Sequence, residues 1–314
     1  MTTETQIDIR PRGPFSWAAS LDVLERWEPV RRHRRERDEV TRIAFPLDGD
    51  FTPVAAALRW TEGALRVEVA GSDRLDAVAR QVARTFSLDH DGTGFPAVGE
   101  RDPELGRVMA ELPGLRPVCF TSPYETAAWA VLCGGTSMAR AIVLQDRVLA
   151  EHGHRLRVAG ADVLAFPAPE RLLRVTAVSG LGAEKIERLH GVARAALDGR
   201  LDAERLRALG PEAGPASVLG IRGIGPFWAQ GIYLRGCGIV DAFPDEPLAI
   251  AALGHLHGHG DQPAPDVLRR LTERLRPYRM WACFLLRVAA GRGIVPGVAG
   301  REGAIRALRG GRRR

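Results

Sequence analysis

The sequence predicts a mostly α-helical protein with a small α/β domain at its N-terminus, and three observations carry that reading. Residues 1–92 combine two helical apolar stripes with two short strand-like runs. Residues 93–314 are a succession of helical segments punctuated by proline and glycine. Between them, Asp89 to Pro96 is dense in turn residues and marks the boundary. A chain of 314 residues is long enough for two domains with ordinary cores.

In order, Phe15 to Trp27 forms a helix with Trp17, Leu21, Leu24 and Trp27 on one stripe. The run Arg31, Arg32, His33, Arg34, Arg35 reads as a solvated loop. Val54–Trp60 and Ala64–Ala70 are strands, and the short Thr61-Glu62-Gly63 link makes them a hairpin. Ser72 or Asp73 caps a helix running to Phe86. Beyond the boundary, helices are predicted over Pro103–Leu112, Tyr124–Gly134, Ser137–His152, Pro169–Val175, Ala183–Leu197, Ala203–Leu209 and Pro215–Leu219. Further helices cover Pro226–Arg235, Pro247–Leu253, Asp266–Leu275 and Pro277–Ala290, before a basic tail from Arg301 to Arg314.

Composition excludes several classes. Hydrophobic content of 45% with 26% charged residues describes a globular chain. No apolar run approaches the ~20 residues of a membrane span, and the N-terminus lacks a signal-peptide core, so a cytoplasmic protein is expected. Cys119, Cys133, Cys237 and Cys283 form no paired spacing, and His255, His257 and His259 read as a flexible polar loop, so neither a metal nor a cofactor is expected. The net charge of +6 permits a polyanionic partner without identifying one. Lys185 is the sole lysine, so nearly all the positive charge is arginine, which suits phosphate.

The informative stretch runs from Val218 to Ala252. Gly223-Ile224-Gly225 precedes Pro226, which suits the first turn of a helix. Glycine lets main-chain N–H groups approach a ligand, and a helix N-terminus favours an anion. The pattern fits either a glycine-capped corner or a grip on nucleic-acid phosphate, with Arg222 and Arg235 adding charge.

The surrounding residues extend the pattern. Gly223, Ile224, Gly225, Pro226, Ala229, Leu234, Arg235, Gly236, Asp241, Phe243 and Pro244 resemble the helix–hairpin–helix motif of the DNA-3-methyladenine glycosylase II family, within the helix–hairpin–helix glycosylase superfamily. Gly114–Val118, Pro123–Ala130, Phe166–Leu172, Asp198–Asp202 and Arg276–Arg279 are similar to that family in the same order, and the N-terminal unit resembles its small α/β domain. The resemblance implies helix–hairpin–helix glycosylase architecture, with residues 93–314 forming two helical halves that flank a cleft. It also implies duplex DNA as partner, no nucleotide cofactor, and hydrolysis of the N-glycosidic bond of a flipped, alkylated base in base-excision repair. The alternative is a catalytically inactive DNA-binding or lesion-sensing relative.

Three positions depart from the family. Its catalytic aspartate aligns without gaps on Pro247, so the nearby carboxylates are Asp245 and Glu246, which either reach the site or only cap the helix that Pro247 begins. Gly134 and Gly135 stand where the family has side chains that fill the gap left by the flipped base, which implies either room for a bulkier lesion or lost function. Phe227 stands where lyase relatives carry a Schiff-base lysine, so strand cleavage is not expected. The resemblance makes Asp241 structural. For the base pocket, Tyr124 and Trp228 are the aromatic candidates preferred over Phe120, Trp129 and Trp281.

Overall fold

A computed structural model describes residues 5–26 and 40–298. Trp27, the basic run at 31–35 and the tail from Arg301 lie outside the described residues. The chain forms two units that interleave in sequence. The first comprises Met1–Pro11, Leu21–Asp89 and Val118–Gly238; the second comprises Arg12–Ser20, His90–Pro117 and Ile239–Arg314.

In the first unit the alternating and β-branched runs make an antiparallel sheet in the order β1-β4-β3-β2. Its strands are β1 (Thr5–Ile9), β2 (Thr41–Pro46), β3 (Pro53–Thr61) and β4 (Ala64–Ala70). The expected hairpin is β3–β4, with Thr61 opposite Ala64. β2 is buried at every position, so it lacks the alternation by which a strand is read from sequence. α1 (Trp17–Arg26) spans the two sequence ranges. α2 (Leu75–Thr85) begins after Arg74; Ser72 Oγ accepts the Arg74 amide at 3.1 Å and forms a turn ahead of the helix rather than the expected cap.

The same unit holds α5 (Pro123–Cys133), α6 (Met138–His152), α7 (Pro169–Leu172), α8 (Ala183–Leu197), α9 (Ala203–Val218) and α10 (Pro226–Gly231). Between α6 and α7 lies an unexpected hairpin, β5 (His154–Val158) and β6 (Ala161–Ala165). Val158 and Ala165 join Val40, Ala44, Ala55, Ala57 and Ala70 in one apolar cluster. Buried Arg42 donates to the Val158 carbonyl at 3.3 Å and the Ala159 carbonyl at 2.7 Å. α5 is apolar all round and buried along nearly its whole length, as a core helix must be. α9 comprises two helices, as expected over 203–219, and they meet at a kink at the non-helical Gly210 (φ 80°, ψ −178°). α10 runs on into a π-helical turn, Ile232–Gly236, where Gly236 packs so close to Pro123 that a side chain there would lie 2.9 Å from its Cα.

The second unit is built from α3 (Pro96–Arg101), α4 (Pro103–Glu111), α11 (Pro247–Leu256), α12 (Pro265–Glu273) and α13 (Arg279–Gly291). Phe95, Tyr278 and Trp281 pack ring on ring at 5.1–5.4 Å. Arg116, 1% exposed, lies over the Trp281 ring and donates to the carbonyls of Arg12, Pro14 and His90. Two of the three histidines read as a flexible loop have side-chain partners: His255 Nε2 is 2.8 Å from Asp261, and His257 Nε2 is 3.0 Å from the fully buried Asp102. Among the described residues no helix is long and apolar enough to cross a membrane.

Candidate nucleic-acid interface

The hairpin follows from its residues. Ile221 and Ile224 are 3% and 5% exposed and anchor the turn, while Arg222, Gly223 and Gly225 face outward. Gly223 has φ +95°, a conformation that disfavours side chains. Gly225 is the N-cap of α10, with ordinary extended geometry and nothing within 4 Å of where a Cβ would stand. The amides of Gly223 and Gly225 have no hydrogen-bond acceptor among the described residues. Unpartnered amides on exposed residues at a helix start are what an anion requires.

The predicted cations differ in placement. Arg222 is exposed but lies against α8, 2.9 Å from Glu187 and 3.8 Å from Glu184. Arg188 pairs with Glu184 at 2.6 Å. Half-buried Arg235 turns inward and donates to the Val118 carbonyl, while its own carbonyl accepts the Phe120 amide at 3.0 Å, so it braces the chain.

The aromatic pair separates in the same way. Tyr124 is 1% exposed, donates to the Pro167 carbonyl at 2.9 Å and has Phe51 and Phe166 edge-on at 5.6 and 5.7 Å. Burial pushes its hydroxyl well above the usual tyrosine range, and no ring face is left for a base. Trp228 is half-buried against Phe120, Trp129 and Ala141. Its neighbour Phe227, 66% exposed and edge-on to Trp228 at 5.4 Å, is the apolar ring that faces outward. Its position two residues past the second hairpin glycine was the available signal.

The acidic turn lies in the second unit. Asp241 is held by Arg276 and Arg279, each at 2.7 Å. Asp245 is exposed and has no partner among the described residues. Glu246 is the N-cap of α11: Oε2 accepts the Ala249 amide at 2.6 Å and Oε1 is 3.2 Å from Arg287 Nε. Pro247 takes the first helical position, as its fixed φ favours. Gly135 has φ +67° and open space around it, so the Gly134–Gly135 turn presents backbone.

No family profile matches the chain. A DNA-3-methyladenine glycosylase from Bacillus subtilis is 26% identical over 216 residues, covering 67% of this chain and 71% of that protein. A probable bifunctional transcriptional activator/DNA repair enzyme AlkA from Mycobacterium tuberculosis is 30% identical over 223 residues. Over about two thirds of its length the chain is thus similar to proteins named DNA-3-methyladenine glycosylase and AlkA. It spans 42% of the length of the mycobacterial protein. The fold is shared beyond that: a 3-methyladenine DNA-glycosylase from Archaeoglobus fulgidus superposes with a TM-score of 0.71 at 21% identity, covering 91% of this chain and 97% of that one. Helix–hairpin–helix glycosylase architecture is therefore the fold of this chain.

Proposed function

We propose that the protein is a DNA glycosylase of base-excision repair that hydrolyses the N-glycosidic bond of alkylated bases in duplex DNA without cleaving the strand. The observation that carries the reading is the hairpin, with exposed residues Gly223 and Gly225 whose amides are unpartnered among the described residues, in a chain similar over 67% of its length to the B. subtilis glycosylase. Those amides take a phosphate oxygen, which positions the duplex without reading its sequence. Phe227 has no amine, so no Schiff base with the sugar forms there.

Bond cleavage develops positive charge on the sugar, and an alkylated base that already carries positive charge leaves with little protonation. What the enzyme must supply is a carboxylate near the sugar and a water. Glu246 is the better of the two candidates. Its rotamer is fixed by the Ala249 amide and Arg287, and a preorganised carboxylate pays no reorganisation as charge develops. Asp245 is exposed and would have to be ordered by the substrate.

The test is release of methylated bases from treated duplex DNA by the wild type, Glu246→Gln and Asp245→Asn. Loss of at least about a hundredfold in Glu246→Gln alone supports the assignment, in the range of removing one electrostatic stabiliser. The same loss in Asp245→Asn alone moves the role to Asp245. The same engagement of Glu246 also suits a purely structural cap, which favours a second reading, a DNA-binding relative without catalysis. Salt-sensitive duplex binding with no base released from any alkylated substrate decides for that reading.

A further inference from the structure

The cationic surface does not end at the hairpin. Arg188 reaches across from α8: its Cδ is 3.1 Å from where Gly223 would carry a Cβ, and its guanidinium is 3.9 Å from the corresponding point on Gly134. One arginine side chain therefore links the hairpin to the Gly134–Gly135 turn. Lys185, one helical turn earlier on α8, donates to the Leu132 carbonyl at 2.6 Å, two residues before Gly134. Arg140, in the first turn of α6, is exposed and donates to the Gly180 carbonyl at 3.2 Å.

The difference between these cations and those at the hairpin is neutralisation. Glu184 and Glu187 pair with Arg188 and Arg222. Lys185 and Arg140 bond only to carbonyls and meet no carboxylate among the described residues. Burial lowers the proton affinity of Lys185, Cys133 beside it acts in the opposite direction, and the like charges of Arg188 and Arg140 lower it again. Such crowding of like charges is unfavourable in the free protein and is relieved by an anion. Gly135, Ser137, Met138 and Ala139 are exposed beside these cations, with Thr136 half-buried among them, so this stretch is open to an approaching polymer.

We propose that Lys185 and Arg140 form a second phosphate-backbone contact for duplex DNA, continuous with the hairpin through Arg188. The inference rests on the DNA-binding reading of the hairpin. On it, the turn whose glycines lack gap-filling side chains is lined by cations that hold the duplex from outside. Substrate affinity then depends on a lysine on α8, a helix outside the helix–hairpin–helix motif.

Anisotropy of a labelled duplex, measured as log K against log salt, tests this directly. Lys185→Gln and Arg140→Gln should each make the slope shallower by about 0.9, the double variant by about 1.8, and Lys185→Arg should keep the wild-type slope. Circular dichroism confirms that each variant folds. A second readout uses the sole lysine: amine acetylation read by mass spectrometry reports on Lys185, and saturating duplex should slow it several-fold. Wild-type slopes in both Gln variants, or acetylation unaffected by bound duplex, overturn the proposal. Gly225→Asp keeps the two readings apart. If it weakens binding while the Gln variants do not, only the second contact fails; if it binds as wild type does, the hairpin reading fails first.

Discussion

Gly225→Asp is the most informative single change, because the structure predicts opposite effects on stability and binding. Gly225 has φ −91° and ψ 175°, which any residue adopts, and a side chain there meets nothing within 4 Å. It is the N-cap of α10, where aspartate serves at least as well as glycine, the difference being a few tenths of a kcal/mol. The melting temperature should be unchanged or rise by less than about 2 °C in a chain of this size. Binding should fall. A carboxylate about 4 Å from a phosphate costs about 1 kcal/mol at the dielectric of water and about 4 kcal/mol at an effective value of 20. That spans roughly five-fold to a thousandfold in affinity, at about 1.4 kcal/mol per tenfold. The added negative charge, which offsets about one neutralising cation, should also make the salt slope shallower by up to about 0.9. The assays are a thermal melt and duplex anisotropy between about 50 and 200 mM salt, the range over which phosphate contacts are resolved. A variant that melts as wild type and binds with unchanged affinity and slope would refute the phosphate grip. Gly223→Ala is a poorer probe, because φ +95° and the contact with Arg188 make any loss ambiguous.

Three other changes separate structural from functional roles. Tyr124→Phe removes the bond to the Pro167 carbonyl and should cost about 1 kcal/mol in denaturant unfolding, with duplex affinity and base release untouched. A Tyr124→Phe protein of wild-type stability but altered lesion preference would return Tyr124 to the base pocket. Arg116→Ala strips three carbonyls of a buried donor and removes the guanidinium over Trp281, so a loss of about 3–5 kcal/mol is expected, read from the urea midpoint. A loss below about 1 kcal/mol would mean that water replaces those bonds. Glu187→Gln releases Arg222 from its shorter ion pair, and duplex binding should tighten by several-fold at low salt, with a steeper salt slope. Unchanged affinity there would show that Arg222 does not meet the DNA.

How much of this was legible depended on the distance over which each feature is decided. Helix starts were readable because their causes lie within four residues: Ser122, Ser137, Asp102 and Asp202 each accept an amide three residues on. The hairpin was readable for the same reason, since glycine, isoleucine and proline at that spacing encode their own turn. The acidic turn was legible only as alternatives, because a carboxylate beside a helix-initiating proline suits both a cap and a catalyst. Strand β2 and the β5–β6 hairpin escaped notice because their burial comes from pairing and packing with residues far along the chain.

By itself, then, the sequence determined the helical architecture, the resemblance to DNA-3-methyladenine glycosylases and the hairpin. It could not determine which side chains face outward. Tyr124 and Trp228 are equally aromatic, and on a helix as apolar as α5 no polar face marks the exposed side. Nor could it say which charges remain available. Arg222 is met by Glu187, 35 positions away, and Arg235 is spent on Val118, 117 positions away, while Lys185 and Arg140 keep their charge. Burial and charge pairing are properties of neighbours in space, and only the tertiary structure decides who those neighbours are.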